Sequence, residues 1–535
     1  MGLGTQNRRL GAIGNLTEAV ASFEQSRLRN QTIFDSSITP QEKNLKGQFA
    51  TPPGLASEIG RYVWEIWKSR GEKIRLLEPA FGTGSFYSSL LRIIPSSSWE
   101  RALAIEIDSD LVKISKKIWS EHAIEIRKGD FTQMLPPKTN RKKFNLLVTN
   151  PPYVRHQHID LLTKKRLQSK VLENLGIRVS GLSGFYTYFL LLADAWLSED
   201  GLSVWLIPSE FMDVNYGSSI RYYLTKKVTL DRIHRFEPSE VQFSDALVSS
   251  AIVIFRKKQP TMLHKATFSY GGSLSSPVKI KEISLEQLTK LRKWNGTIYR
   301  DLQTVQDGRK YGLSEFFHIS RGIATGDNSF FIMKLDEAKK RGIPSRFLKP
   351  ILPGPKFLKQ NIIESDSDGF PLIEERLVLL DSYLPESELR RISPSLWEYI
   401  KNGEQKGIKE RYLVRKRTPW YRQEQRPPAP FLCPILARKS KSTTPFRFFW
   451  NKSQATAHNV YLMLYPIGAL AEALNKEKSL YSKVFEALSK IDKETMIDSG
   501  RVYGGGLYKL EPSELGNVPS LELSKIAGIP TLDSY

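Results

Sequence analysis

Residues 74–86, IRLLEPAFGTGSF, change character midway. An apolar run of strand type ends in Glu78, and a turn carrying Gly82 and Gly84 then opens a helix. A strand that hands a glycine turn to a helix is the opening unit of a doubly wound sheet, and glycine there lets backbone approach a ligand closely. The GxGxxG spacing of a dinucleotide site is absent, and no Gly-Lys-Ser/Thr follows to make a phosphate loop. Outward from this turn, RALAIEID (101–108), AIEIRKGDF (123–131) and FNLLVTN (144–150) read as further strands, with DLVKISKKIWS (110–120) as an intervening helix. FYTYFLLLADAWLSED (185–200) reads as a later helix leading into the strand GLSVWLIPS, and another helix follows around 216–226. VTLDRIHRFE and VSSAIVIFRK close the region as two strands. The alternation predicts an α/β fold, a doubly wound and mostly parallel sheet with helices on both faces. Residues 154–183 interrupt the rhythm and read as a long loop or lid.

Past residue 258 the alternation is lost, and short strands, prolines and basic clusters follow. The expected organisation is an N-terminal helical extension (1–46), a catalytic domain (47–258), and a mixed α+β domain (259–535) after a linker near KKQPTMLHK. A net charge of +23 calls for a polyanionic partner, nucleic acid or an anionic membrane surface. No apolar run reaches the roughly 18 residues of a membrane span. The N-terminus lacks the apolar core of a secretory signal, and Gln6 stands where myristoylation of Gly2 needs Ser or Thr. The single cysteine, Cys433, excludes an intramolecular disulfide and a cysteine-based zinc cluster. A cytoplasmic chain facing nucleic acid is the resulting expectation.

Glu78, Glu106 and Asp130 fall at the ends of three successive strands. An acid after the second strand is where doubly wound folds hold ribose hydroxyls, and Asp130 can accept from an adenine amino group. With no phosphate cradle, these acids suit an adenosyl ligand without a phosphate tail, S-adenosylmethionine rather than NAD or ATP. The fourth strand ends in Asn150, Pro151, Pro152 and Tyr153. The Asn150 amide oxygen and the Pro151 carbonyl can both accept from an exocyclic amino group, drawing nitrogen lone-pair density out of ring conjugation. The prolines fix the direction of those acceptors, and Tyr153 offers a face for stacking. A base amine inside a duplex reaches such a site only if the nucleotide is flipped out.

The set GQFATP (47–52), LLEPAFGTGSF, AIEID, KGDF and NPPY, followed by GLSVWLIPSEF and VQFSDALVSSAIVIF, resembles the gamma-class amino-group DNA methyltransferases of restriction–modification systems. The likeness in motif order covers about 47–258. It implies a Rossmann-like methyltransferase domain followed by a target-recognition domain. Asn-Pro-Pro-Tyr in that family marks adenine-N6 chemistry, and Ser-Pro-Pro-Tyr/Trp more often marks cytosine-N4. The resemblance places Thr51 near the methionine end of the cofactor, and Glu78, Pro79, Ala80, Gly82 and Gly84 around the same pocket. Glu106 would hold the ribose hydroxyls, Ile107 would lie against the adenine, Asp130 would bond its amino group, and Phe131 would supply a backbone contact. Phe243 would stack on the far face of the flipped base. Phe81 stands where the family often has a small residue, a departure at the pocket entrance.

FFHISRGIATGDNSFFIM (316–333), NKSQATAHNVYLMLYP (451–466) and GRVYGGGLYKLEPSEL (500–515) resemble signatures of the family's recognition domain. Arg155, Arg415, Lys416, Arg417, Trp420 and Arg422 suit contacts with DNA. No metal is expected, since His156 and His158 lack a third ligand, and Cys433 reads as a core residue. No fused nuclease is visible, so a cognate endonuclease would be a separate protein, and a monomer acting on double-stranded DNA is the expected state. The competing readings are cytosine-N4, RNA or protein-glutamine methylation, and a catalytically silent DNA-binding subunit.

Overall fold

The computed structural model describes residues 22–236, 249–261, 263–291, 293–294, 311–438, 446–503 and 507–528. The chain divides into two compact units, Met1–Thr304 with Tyr503–Gly505, and Val305–Val502 with Gly506–Tyr535.

The first unit opens with helix α1 (22–36), α2 (Pro40–Lys46) and α3 (Pro53–Trp67). Alternation then begins with β1 (Ile74–Glu78), α4 (Ser85–Ile93), β2 (Trp99–Glu106), α5 (Ser109–Ile118), β3 (Ile124–Lys128) and β4 (Phe144–Thr149). It continues through α6 (Leu161–Leu175), α7 (Phe185–Ala193), β5 (Leu197–Pro208), α8 (Ser218–Lys226), β6 (Thr229–Arg235) and β7 (Ser250–Arg256). Two more strands, β8 (Lys265–Gly272) and β9 (Pro277–Ser284), complete a nine-stranded sheet in the order β3-β2-β1-β4-β5-β7-β6-β8-β9. From β3 to β5 all pairings are parallel, and β7 is antiparallel to both β5 and β6.

Burial on both faces follows from the period-two pattern of the central strands. Leu76, Leu146, Val148, Val204 and Leu206 point into the core on one face, against α3 and α4. Leu77, Leu147, Trp205 and Ile207 point into the core on the other, with α6, α7 and α8. The doubly wound, mostly parallel sheet read from the sequence is therefore present. β1 pairs with β2 on one side and β4 on the other, so the strand order reverses between β1 and β4. A crevice opens at the carboxyl ends of strands at such a switch point.

Three expectations need correction. Residues 154–183 are not a plain loop, because α6 lies within them, capped by Asp160 at its start and by Gly176 in the left-handed region (φ 70°) at its end. Its sequence is mostly polar, but Leu167 and Val171, four residues apart, are wholly buried. The helix expected over 185–200 stops at Ala193; Leu197 already pairs with Phe144 at the start of β5. The division near 304 lies well beyond 258, because β8 pairs in parallel with β6 and β9 with β8, extending the same sheet past the Pro260 region. Pro260 and the polar residues beside it mimic a linker in composition but connect β7 to β8, the two strands that flank β6.

The second unit is mixed α+β. Its largest sheet orders the strands Phe317–Arg321, Tyr461–Pro466, Phe431–Pro434, Phe449–Asn451 and Ile362–Ile363. A four-stranded sheet and a three-stranded sheet accompany it. Among its longer helices are Pro394–Gln405, Gly468–Lys476 and Leu480–Ser489. No helix among the described residues is long and apolar enough to cross a membrane.

Candidate active site

A cavity of about 480 Å³ lies at the carboxyl ends of β1, β2, β3 and β4. Its floor is the glycine turn. Gly82 (φ 57°) donates its N–H to Glu106 Oε2 at 2.8 Å, and Phe81 donates its N–H to the Ile105 carbonyl at 3.1 Å. Gly84 has φ 86°, and a Cβ there would lie 2.6 Å from the Phe81 ring and 2.8 Å from Trp119 Nε1. Only glycine fits this turn. Phe81, expected at the entrance, packs into the core at 3% exposure while also lining the cavity.

The acids at the strand ends, Glu78, Glu106 and Asp130, all line this cavity. Glu78 is 2% exposed; burial pushes its carboxyl well above the ordinary range, partly offset by the Tyr87 N–H and the Arg27 charge. Its Oε2 is buried without a hydrogen-bond partner among the described atoms. Burial also raises the Glu106 carboxyl, against the pull of the Asp108, Gly82 and Ile107 N–H groups. Asp130 accepts from the Thr132 N–H and hydroxyl and from Gln133 Nε2. Ile107 is 63% exposed on the cavity wall, and Pro79, Ala80 and Phe131 line it too.

Asn150 sits at the end of the wholly buried β4. Its Nδ2 donates to the Phe49 carbonyl at 2.8 Å and to Thr51 Oγ1 at 3.2 Å. A carbonyl can only accept, so the amide nitrogen must face Phe49, and Oδ1 is turned the other way. Oδ1 is buried and without a partner among the described atoms. The segment carrying Phe49 and Thr51 is held against β4 by close backbone contact. Tyr153 donates its N–H to the Gly47 carbonyl at 3.0 Å, and a Cβ on Gly47 (φ 63°) would lie 2.4 Å from that nitrogen. Thr51 thus secures Asn150 in addition to lining the cavity.

Other placements differ from expectation. The Tyr153 ring is 7% exposed, packs in the core, and donates its hydroxyl to the Leu206 carbonyl at 3.0 Å, so it does not line the cavity as an open stacking face. Phe49 lies against it with ring centroids 5.9 Å apart and does line the cavity. Pro152 lines the cavity; Pro151 is buried. Phe243 lies outside the described residues. In the second unit, Arg417 donates to the carbonyls of Ala324 and Thr325 and to Gln423 Oε1, which makes it a brace for a loop. Trp420 is buried in that unit's core, whereas Arg415, Lys416 and Arg422 are exposed, stacked over Tyr412 or Tyr383, and Arg155 is exposed in the first unit.

The sequence reading missed part of the wall. Gln31, Phe34 and Asp35 come from α1, and Phe185 and Phe189 from α7. Lys46, at the end of α2, is paired with Asp108 at 3.2 Å. Asp108 stands within the AIEID run and could have been found there; the α1 residues belong to no motif.

Three residues lining this cavity, Glu78, Asn150 and Gln48, each carry an acceptor atom (Oε2, Oδ1 and Oε1) that is buried and unpartnered among the described atoms. Unpaired buried acceptors call for a ligand rich in donors or positive charge. S-adenosylmethionine, with an ammonium, a sulfonium and ribose hydroxyls, fits this donor set. The fold and cavity define a methyltransferase of the S-adenosylmethionine-dependent class.

The Eco57I restriction-modification methylase family model matches residues 89–243, and the model for the C-terminal domain of the type II methyltransferase M.Eco57I matches 291–533. The type II methyltransferase M.AccI of Acinetobacter calcoaceticus is 27% identical over 92% of this chain and 88% of its own length. M.XamI of Xanthomonas campestris pv. amaranthicola is 28% identical over 85% of this chain and 82% of its own. The type IIL restriction-modification enzyme MmeI, solved in complex with DNA, shares the fold with a TM-score of 0.53 at 14% identity, over 86% of this chain. This chain spans 64% of that enzyme's length. By these matches the chain is similar to the Eco57I family; it is a type II DNA methyltransferase of a restriction–modification system, and its cofactor is S-adenosylmethionine.

Proposed function

We propose that the chain methylates adenine at N6 within a short duplex sequence, on a base flipped out of the helix. The observation that carries this reading is Asn150, whose Oδ1 is buried, unpartnered among the described atoms, and fixed in direction by the bond from its own Nδ2 to Phe49. Such an acceptor suits an exocyclic N–H, and the Pro151 carbonyl accepts the second hydrogen of the same amine. Together they hold the nitrogen lone pair out of conjugation with the ring. When bound, S-adenosylmethionine supplies an electrophilic methyl group on sulfur. Asn150 and the Pro151 carbonyl would aim the amine nitrogen at that methyl group, and the proton the amine loses on transfer would leave to solvent. No covalent enzyme intermediate is needed.

Glu78, Glu106 and Asp130 hold the cofactor's polar edge, and the Gly82 turn shapes its cradle. Phe243 stacks on the outer face of the base, Pro152 lines the inner side, and Tyr153 supports that side from within the core. Arg155, Arg415, Lys416 and Arg422 contact phosphates. The Asn-Pro-Pro-Tyr sequence supports adenine over cytosine. The enzyme acts as a monomer on cytoplasmic DNA and protects it from a separately encoded endonuclease.

The test is transfer of labelled methyl from S-adenosylmethionine to plasmid DNA by the purified chain, followed by digestion to nucleosides. Label in N6-methyldeoxyadenosine is the expected result. Label in N4-methyldeoxycytidine would move the same mechanism to cytosine, and label only in RNA or protein would refute the DNA reading. Phe243→Ala should reduce transfer chiefly on paired targets, since mismatched bases flip at lower cost; equal losses on both would remove its stacking role.

A further inference from the structure

Helix α1 precedes every methyltransferase motif in the chain, yet it is tied into the floor of the cavity. Arg27 is 1% exposed. Its Nε and one terminal nitrogen donate to both oxygens of Glu24 at 2.8 and 2.7 Å, and its other terminal nitrogen donates to Thr83 Oγ1 at 3.2 Å and Ser85 Oγ at 2.9 Å. Burial works to raise the Glu24 carboxyl, but the bonds from Arg27 and Ser88 outweigh it and hold it below the ordinary range. The Thr83 hydroxyl, accepting from Arg27, donates in turn to Gln31 Oε1 at 2.7 Å. One helical turn further, Phe34 and Asp35 join Gln31 in the cavity wall.

Thr83 and Ser85 flank Gly84, the residue whose left-handed backbone sets the turn. The planar guanidinium grips both Glu24 oxygens with two of its nitrogens and both hydroxyls with the third, a span that the single nitrogen of an ammonium cannot cover. The same charge lies close enough to Glu78 to pull its carboxyl down against burial.

We propose that α1 is the outer wall of the cofactor pocket and that Arg27 and Gln31 are positioning residues for the glycine turn. Cofactor affinity is then set partly by a segment outside the catalytic motifs. This rests on the methyltransferase reading above.

The test uses the full chain, Arg27→Lys, which keeps the charge beside Glu24 but loses the fork, and Gln31→Ala, which disturbs little buried structure. Equilibrium binding of S-adenosylmethionine, DNA affinity, unliganded Tm and steady-state constants are measured for each. Arg27→Lys should weaken cofactor binding about tenfold and Gln31→Ala about fivefold. The loss should appear in KM for the cofactor far more than in kcat, with DNA affinity unchanged. Unchanged cofactor affinity in both variants, or losses tracking a fall in Tm alone, would overturn the assignment. Failure of the parent chain itself to bind the cofactor would instead overturn the methyltransferase reading, and this inference with it.

Discussion

The side-chain amide of Asn150 donates to the Phe49 carbonyl at 2.8 Å, so the Asn-Pro-Pro-Tyr strand end and the Gly47–Thr51 segment form one preorganised acceptor. Asn150→Ala removes that acceptor without touching the cofactor acids. It should lower kcat by about 10³-fold or more while S-adenosylmethionine and DNA still bind. Asn150→Asp sets a carboxylate against the Phe49 carbonyl and should be nearly as damaging. Thr51→Val leaves the Phe49 bond in place and should cost only about tenfold or less. Rate measurements under single turnover check all three; near-parental transfer by Asn150→Ala contradicts the role.

Gly84→Ala forces a side chain into positive φ and against Phe81 and Trp119. A strain of about 1–3 kcal/mol is expected. It should appear as a lower Tm by differential scanning calorimetry and as weaker cofactor binding, because the turn itself must shift.

Glu78 predicts a proton linkage. In the ligand-free fold its pKa is raised by burial, so between the ordinary 4.5 and that raised value the folded state holds a proton the unfolded chain has lost. Stability from this group is therefore present below the ordinary value and falls as pH rises through the raised one. A cationic ligand reverses the preference by favouring the carboxylate. Cofactor binding should release protons and tighten as pH rises across that window. Glu106, raised in the same direction, adds to the effect. Titration calorimetry in buffers of different ionisation enthalpy reads the release directly, and Glu78→Gln should reduce it while weakening binding. Equal proton release in the parent and the variant would rule Glu78 out.

Arg415 and Arg417 stand two residues apart but should behave oppositely. Arg415→Ala should weaken DNA binding uniformly across sequences and lower the slope of log K against log salt by about one. Arg417→Ala severs the bonds to Ala324, Thr325 and Gln423 and should destabilise its unit by about 2 kcal/mol. Salt-dependent binding and thermal melting separate the two.

The central strands were legible because each carries dense apolar residues and ends in a chemically distinctive turn, as at Glu78–Gly84 and Asn150–Tyr153. The acids met in one cavity because the carboxyl ends of parallel strands share an edge of the sheet. Helix α6 was hidden because only Leu167 and Val171 mark its buried face in a mostly polar run, although Asp160 and Gly176 were readable as caps. β8 and β9 were hidden because Pro260 and its polar neighbours look like a linker in composition. Long-range ties carry no local signature at all. Arg27 reaches Thr83 and Ser85 across more than fifty positions, and nothing in the spacing of α1 announces it. The opposite error fell on Tyr153 and Arg417, whose residue types suggest display while their packing assigns them to support.

The central claim is tested most directly by methylome sequencing of DNA from a methylation-free host expressing this chain, beside the same host expressing Asn150→Ala. N6-methyladenine at one short motif with the parent, and none with the variant, is the predicted result. Unmodified DNA, from parent protein that binds S-adenosylmethionine in the same cells' extract, would contradict it.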